Sequence, residues 1–298
     1  MKKRFIVLGE VFSEHRALRF REECEKRNVE FKFVNIYKSV LTASGLYDEN
    51  GKLIEFEAND ILWGISNLTI GHFVARKAER EGLKMWPSKD AVDFSDKFLT
   101  NMFFAGISIP TPRTVFLNSY YIDRMVDKVG GWPCVIKKNV STVGKFVEIV
   151  NNEKEAIDFI KNTFDQAKNN ILPTNRIRFL LQEFIQESAG VDYRVLCLND
   201  EIIGVIKREA QEGFKSNVSL GGVATQVEVD AKLEAYAKKI MKEGKLFYAG
   251  IDFMKAGDDY LAIEVNTSAQ FKGFEGATGI NVAGRILDEL LHGVNKKK

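Results

Sequence analysis

The sequence predicts an α/β fold that is α+β in part: an N-terminal α/β unit over residues 1–93, then two α+β units over 94–182 and 183–298. Three observations carry that expectation. Strand and helix patterns alternate in the first third, and antiparallel strand pairs joined by short polar turns fill much of the rest. The stretch "GIDFMKAGDDYLAIEVNTS" then closes a hairpin that sets two acids on one face.

In the first unit "RFIVLGE", "VEFKFVNI" and "DILWGI" read as strands, while "SEHRALRFREECEKRN" and "GHFVARKAEREG" read as amphipathic helices. That alternation suggests parallel strands. "WPSKDAVDFSDK" lacks a clean period and marks a boundary. The next helix starts from an N-cap at Ser95 and ends at Gly106, and Pro110 and Pro112 block any continuation. The middle unit offers strands in "TVFLNS", "WPCVIKK", "GKFVEIV" and "RFLLQEFI", and helices in "YYIDRMVDKVGG" and "EKEAIDFIKNTFDQAKN", the last with a capping-box-like start at Asn152 and Glu155. In the third unit "DYRVLCL" and "IIGVIKRE" form a hairpin turned at Asn199-Asp200. A polar loop to about Val223, the helix "DAKLEAYAKKIMKEGK", the acidic hairpin and a helix from about Asn281 to His292 follow.

Composition narrows the function classes. Over 298 residues, 45% hydrophobic and 28% charged residues describe a globular chain with a sizeable core and exclude a disordered or fibrous one. Lys and Arg number 43 against 41 Asp and Glu, so no overall field draws the chain to nucleic acid or an anionic membrane. Any anion has to be held locally. Cys24, Cys134 and Cys197 are odd in number, far apart and without a CxxC pair, which argues against a disulfide framework or zinc site and fits a reducing cytoplasm. The apolar core of "MKKRFIVLGE" is too short for a signal peptide, no later run reaches the length of a membrane span, and "VNKKK" reads as a solvated tail.

The acidic hairpin carries the chemistry. Registered about a three-residue turn Gly257-Asp258-Asp259, its strands put 256 opposite 260, 254 opposite 262 and Asp252 opposite Glu264. Like charges on Cβ atoms roughly 4.5–5.5 Å apart destabilise a sheet, so something has to offset them. Asn266 shares the face through the period of two, and two carboxylates with an amide oxygen suit Mg²⁺ better than zinc. Phe253, Leu261, Ile263 and Val265 form the apolar opposite face in this register. A solvated acidic face is the competing reading.

Phosphate ligands are available elsewhere. Lys137 ends the apolar strand "PCVIKK", and "STVGK" adds hydroxyls at Ser141 and Thr142 with Gly144 for close backbone approach, although a plain surface turn fits as well. This is not a Walker or dinucleotide glycine pattern. Gln182 and Glu183 end another apolar strand, where backbone groups could pair with an adenine edge; a buried strand end is the alternative.

In order, "DKFLTNMFFAGISIPTP", "VIKK…STVGK", "LLQEFIQESAGVDYRVLCLNDEIIGVIKRE", "FKSN", "GIDFM", "AIEVNTS" and "GATGINVAGRILDEL" resemble the ATP-grasp superfamily, and within it the RimK-like carboxylate–amine ligases. The resemblance runs from about Trp86 to the C-terminus. It implies an ATP-grasp fold in which a pre-ATP-grasp domain precedes two subdomains that grip ATP. It implies that Lys97 and Lys137 contact phosphates, that Glu183, Phe184 and Ile185 receive adenine, and that Asp252, Glu264 and Asn266 hold Mg²⁺, or Mn²⁺ in its place. It sets Arg208 and Asn217 by the γ-phosphate and acyl phosphate, and Asp192 and Arg194 on a shared Asp-x-Arg strand. With the Asn199-Asp200 turn, Asp192 is expected across from Lys207, which makes a plain ion pair a serious alternative to ATP binding by these two residues.

The reaction so implied is amide formation through an acyl phosphate, from a carboxylate substrate of a metabolite, cofactor or carrier or target protein and an amine such as glutamate, in a homo-oligomer. The loop "NVSTVGKFV" departs from the glycine-rich loop of many RimK-like ligases and resembles the shorter loop of ligases in lysine and arginine biosynthesis that act on an amino-group carrier protein. Two rivals share the grasp. A small-molecule kinase would want a denser basic pocket than Lys207, Arg208 and Lys215 provide, and a non-catalytic nucleotide-binding module would not need the full set of metal ligands and lysines. His15, His72 and His292 fall outside the matched motif residues, and Glu10, Asn67 and Thr69 are further candidates to touch the substrate.

Overall fold

The structure is a computed structural model that describes residues 3–10, 14–64, 69–117, 122–141, 146–168, 177–211, 213 and 221–292. The first third holds β1 (Arg4–Gly9), α1 (His15–Lys26), β2 (Glu30–Asn35), β3 (Val40–Leu41), β4 (Leu46–Tyr47), β5 (Ile61–Trp63), α2 (Thr69–Arg80) and β6 (Lys84–Trp86); the alternation of β1, α1, β2, β5 and α2 folds as expected, and the short hairpin of β3 and β4 was not anticipated. β6 was not anticipated, because "LKMW" falls between the helix pattern "GHFVARKAEREG" and the boundary stretch. The sheet is parallel in the order β2-β1-β5-β6.

After a 3-10 turn over 91–95 comes α3 (Lys97–Gly106). Its N-cap is Asp96, not Ser95: the carboxylate accepts from the backbone N–H groups of Phe98 and Leu99, both at 2.9 Å. The middle of the chain holds β7 (Thr114–Phe116), α4 (Ile122–Val126), β8 (Cys134–Lys138), β9 (Val147–Val150), α5 (Glu153–Lys168) and β10 (Phe179–Glu183). Its sheet is antiparallel, ordered β7-β10-β8-β9. The cap of α5 forms as read: Asn152 Oδ1 accepts from Glu155 N–H at 3.0 Å, while the Glu155 carboxylate accepts from Asn151 N–H at 2.9 Å.

The last part holds β11 (Val191–Leu198), β12 (Glu201–Glu209), β13 (Val223–Val227), α6 (Ala231–Glu243), β14 (Tyr248–Ala256), β15 (Asp259–Asn266), α7 (Lys272–Thr278) and α8 (Val282–His292). β13 and α7 were not anticipated. The sheet order is β13-β12-β11-β14-β15.

Both hairpins of this sheet depart from simple register counting. The acidic hairpin turns on two residues, Gly257-Asp258, with Ala256 opposite Asp259 and Met254 opposite Leu261. A bulge then leaves Ile263 unpaired, and the register returns with Asp252 opposite Glu264. The expected acid pair therefore stands, but Tyr260, Ala262 and Val265 join Phe253 in the core in place of Leu261 and Ile263. In the β11–β12 hairpin the bulge falls at Ile203, and it moves Asp192 from Lys207 to Arg208.

Packing ties the ends of the chain together. Phe5, Phe20 and Trp63 of the first unit share one core with Ile251, Phe253, Phe271 and Ile286. The middle sheet has its own core around Ile136, Phe159, Phe179 and Leu181. Among the described residues no helix is long and apolar enough to cross a membrane. The three cysteines are free and buried.

Candidate functional site

The face of the last sheet that carries Asp252 is a packed array of charge. Asp252 is 5% exposed. Register sets Arg194 beside it on β11, and the guanidinium grips the carboxylate side-on, with Nε and Nη2 each 2.7 Å from an oxygen. Arg208, one strand further, is 3% exposed and makes the same fork to Asp192 at 2.5 and 2.7 Å, with Nη2 also 3.1 Å from Asp252. Asn266 donates its amide N–H to Asp252 at 3.3 Å. Burial pushes the Asp252 carboxyl up, but Arg194 and Arg208 outweigh it and hold the group below the usual carboxylate range. Burial likewise disfavours charge on Arg208, and Asp252 and Asp192 reverse that. Two arginines thus offset the repulsion between Asp252 and Glu264, the task the sequence reading assigned to a metal.

Facing these carboxylates are two lysines. Asp96 caps α3 and also accepts from the Asn139 side-chain amide at 2.6 Å, while Asn139 Oδ1 accepts from Phe98 N–H at 3.0 Å. This clasp fixes the start of α3 against the end of β8. Lys97, the first helical residue, is 7% exposed; its Nζ donates to the Ser141 carbonyl at 3.0 Å and lies 3.6 Å from Glu264 Oε1. Lys137, on β8, is 4% exposed and donates to Gln182 Oε1 at 2.9 Å. The Gln182 amide in turn donates to Thr114 Oγ1 at 2.7 Å, which fixes its carbonyl on the lysine. Burial and the neighbouring Lys97 charge push Lys137 down to about 7, against a smaller opposing effect of Glu264.

Asp192, Arg208, Asp252, Glu264 and Asn266 therefore share one face, and Lys97, Ser141, Lys137 and Gln182 form a second group joined to it through Glu264. Glu183 ends β10 with its carboxylate held side-on by Arg113 at 2.7 and 3.0 Å, and the half-buried Phe184 and Ile185 follow it. Lys207 is not part of the group. It alternates with Arg208 along β12 onto the opposite face, beside Tyr193, and donates to Glu209 at 2.7 Å. Glu10 is exposed just past β1. Asn67, Thr142, Gly144, Lys215 and Asn217 lie outside the described residues.

Sequence reasoning missed the residues that hold the constellation in place. Asp96 and Asn139 had only the one-residue displacement of the cap as a signal. The segment after β15 is stitched to the first unit: Trp86 Nε1 donates to the Thr267 carbonyl at 2.6 Å, Thr267 Oγ1 to Ala91 at 3.1 Å, and Ser268 Oγ to Gly64 at 3.1 Å. These contacts fix the end of the strand that carries Glu264 and Asn266, and no local pattern announces them.

Hard-cation chemistry fits this donor set. Among the described residues no group of three His, Cys, Asp or Glu side chains is arranged for a metal, so a site here has to use an amide oxygen. Asn266 donates to Asp252 through nitrogen, which leaves its carbonyl oxygen as an acceptor. The Glu264 side chain is 32% exposed and only loosely paired with Lys97. Asp252 would share its oxygens with the two arginines. A cavity of about 660 Å³ over β9 and α5 is lined by none of these residues.

Residues 94–290 match the family profile described as the RimK-like ATP-grasp domain. A Legionella pneumophila (strain Corby) protein described as a probable alpha-L-glutamate ligase is 32% identical over 278 residues, 91% of this chain and 89% of its own length. Among solved structures, a RimK domain ATP-grasp protein from Sphaerobacter thermophilus DSM 20745 superposes with a TM-score of 0.74 at 17% identity, over 96% of this chain and 98% of that one. The ATP-grasp ligase PsnB, complexed with minimal precursor, Mg and ADP, superposes with a TM-score of 0.65 at 18% identity, over 96% and 97% of the two chains.

Proposed function

We infer that this chain, which belongs to the RimK-like ATP-grasp family, adds an amino acid, with glutamate as the first candidate, to a carboxylate of a metabolite or of a carrier or target protein. It is an ATP-dependent ligase that forms a carbon–nitrogen bond. The observation that carries the reading is the meeting of Lys97 with both Ser141 and Glu264, which joins a phosphate-binding arm to an oxygen-donor face.

In this reading Lys97, Lys137 and Ser141 hold the phosphates, and the strand end from Gln182 to Ile185 receives adenine. Asp252, Glu264 and Asn266 hold Mg²⁺, which supplies charge neutralisation on the phosphates when bound. A complex of PsnB with Mg and ADP supports that pairing of ligands. A carboxylate oxygen of the substrate attacks the γ-phosphorus, the bond to the bridging oxygen breaks, and ADP leaves. The amine then attacks the acyl carbon, phosphate departs, and the nitrogen loses a proton. Arg208 neutralises charge that develops on the transferred group, and Asp192 aims its guanidinium. Lys207 has no part in this. A complex of PsnB with precursor peptide PsnA2 supports a protein acceptor as one form of the carboxylate.

The test is product stoichiometry with Mg·ATP, L-glutamate and pools of carboxylates. Equal release of ADP and phosphate with a new amide supports the ligase. ADP without free phosphate, together with a phosphorylated hydroxyl compound, would make it a kinase, and nucleotide binding without turnover in any pool would make it a binding module.

A further inference from the structure

Arg16, the second residue of α1, is 4% exposed. Its Nη1 donates to the carbonyl and hydroxyl oxygens of Ser268, both at 2.8 Å. The other edge of the guanidinium, formed by Nε and Nη2, is the edge through which Arg4, Arg27, Arg113, Arg194 and Arg208 each grip a carboxylate side-on at 2.5–3.0 Å. In Arg16 that fork is unmade. Among the described residues Nε is buried with no hydrogen-bond partner, and Nη2 reaches only Glu14 Oε1 at 3.2 Å, a carboxylate that also accepts from Gln270. A buried charged donor left unpaired is costly, so the edge is chemically incomplete.

Its position has meaning for the ligase. β1 and β5 are neighbours, and the chain leaves β1 for β2 on one side and returns to β5 on the other. Ligands of open parallel sheets bind in the crevice beyond the carboxyl ends of the strands at such a reversal. Arg16 follows β1, and Ser268 links it to Gly64 at the end of β5. Ser268 also lies two residues beyond Asn266, at most about 7 Å along the chain. An amino acid whose carboxylate sits on Arg16 thus has its amine within a side chain's length of the oxygen-donor strand.

We propose that the Nε/Nη2 edge of Arg16 receives a carboxylate of the amino-acid substrate, replacing the Glu14 contact. This rests on the ligase reading for its choice of ligand. L-glutamate offers an α- and a side-chain carboxylate; L-glutamine keeps only the first and γ-aminobutyrate only the second. The ligand whose binding still depends on Arg16 identifies the one used.

The experiment titrates the full chain, saturated with Mg·AMPPNP, with each compound by calorimetry, and follows the Arg16 side-chain Nε–H signal by nitrogen-15 NMR, assigned by its absence in Arg16→Lys. The Nε–H signal shifts on saturation with glutamate. Arg16→Gln binds glutamate about 10- to 100-fold more weakly with AMPPNP affinity unchanged, the range of a lost charge-assisted bidentate contact. If Arg16→Gln does not fold, the wild-type signal still decides. A stationary Nε–H signal, unaltered glutamate affinity in folded Arg16→Gln, or no uptake of any of the three compounds by the nucleotide-loaded chain overturns the inference. Absence of AMPPNP binding would instead overturn the ligase reading, and this inference with it.

Discussion

Replacing Lys137 with Met removes a buried cation that the ligand-free fold supports poorly. Its ammonium is 4% exposed and meets one neutral acceptor, Gln182 Oε1 at 2.9 Å, with the charge of Lys97 nearby. In the unfolded chain this lysine titrates near 10.5 and in the folded chain at about 7, so between those values the unfolded state binds more protons and stability rises with pH. Below pH 7 the cost is complete, on the order of 4–5 kcal/mol at most. Met removes that cost but leaves Gln182 Oε1 without its donor, which costs about 1–3 kcal/mol. The expected net gain at pH 6 is about 2 kcal/mol, a rise in Tm of roughly 4 °C. The gain should shrink steadily as pH approaches 10. Thermal melts of wild type and Lys137→Met across pH 6–10 test this, and a variant that is less stable at pH 6, or whose difference from wild type does not change with pH, refutes the reasoning. In the proposed nucleotide site a bound triphosphate would supply the missing anion and raise the lysine again. AMPPNP binding above pH 7 should therefore take up a proton, which calorimetry in buffers of different ionisation enthalpy detects.

Glu264→Gln should abolish most turnover while stability changes by less than about 1 kcal/mol, because among the described residues Glu264 makes only one partly exposed ion pair, at 3.6 Å; full activity in a folded variant would remove Glu264 from the metal site. Asp252→Asn should instead destabilise the chain by roughly 3–5 kcal/mol, because it leaves Arg194 and part of Arg208 buried without their anion; a denaturant midpoint equal to wild type would contradict that. Asp96→Ala removes the two cap hydrogen bonds and the Asn139 contact, and should cost about 1–2 kcal/mol and weaken nucleotide binding through Lys97. Unchanged AMPPNP affinity would separate the cap from the phosphate arm.

Much of this arrangement was legible where chemistry repeats with a local period. The alternation of β1, α1 and β2, the cap at Asn152 and the pairing of Asp252 with Glu264 all follow from patterns a few residues long. The acid pair was right through two compensating departures: a turn one residue shorter than expected, and a bulge at Ile263 that restores the register. In the neighbouring hairpin the turn was placed correctly and the bulge at Ile203 was not foreseen, so Asp192 was matched to Lys207 instead of Arg208. A bulge depends on how a twisted strand packs over its neighbours, and "EIIGVIKRE" carries no local mark of it. The source of charge compensation at Asp252 was hidden for a related reason: Arg194 and Arg208 come from two other strands, 58 and 44 residues away in the chain. β6 and β13 lacked an apolar run of their own: "KMW" sits between a helix pattern and the boundary stretch, and "VATQV" continues a polar loop.

The central claim is that a carboxylate is activated as its acyl phosphate, and an intercepting nucleophile tests it most directly. Purified protein is mixed with Mg·ATP, hydroxylamine and pooled carboxylates, without amine substrate, and analysed by mass spectrometry. A hydroxamate that forms only with ATP, from one pool, together with matching ADP and phosphate, is the predicted result. ADP accompanied by a phosphorylated hydroxyl compound and no hydroxamate from any pool would contradict the claim.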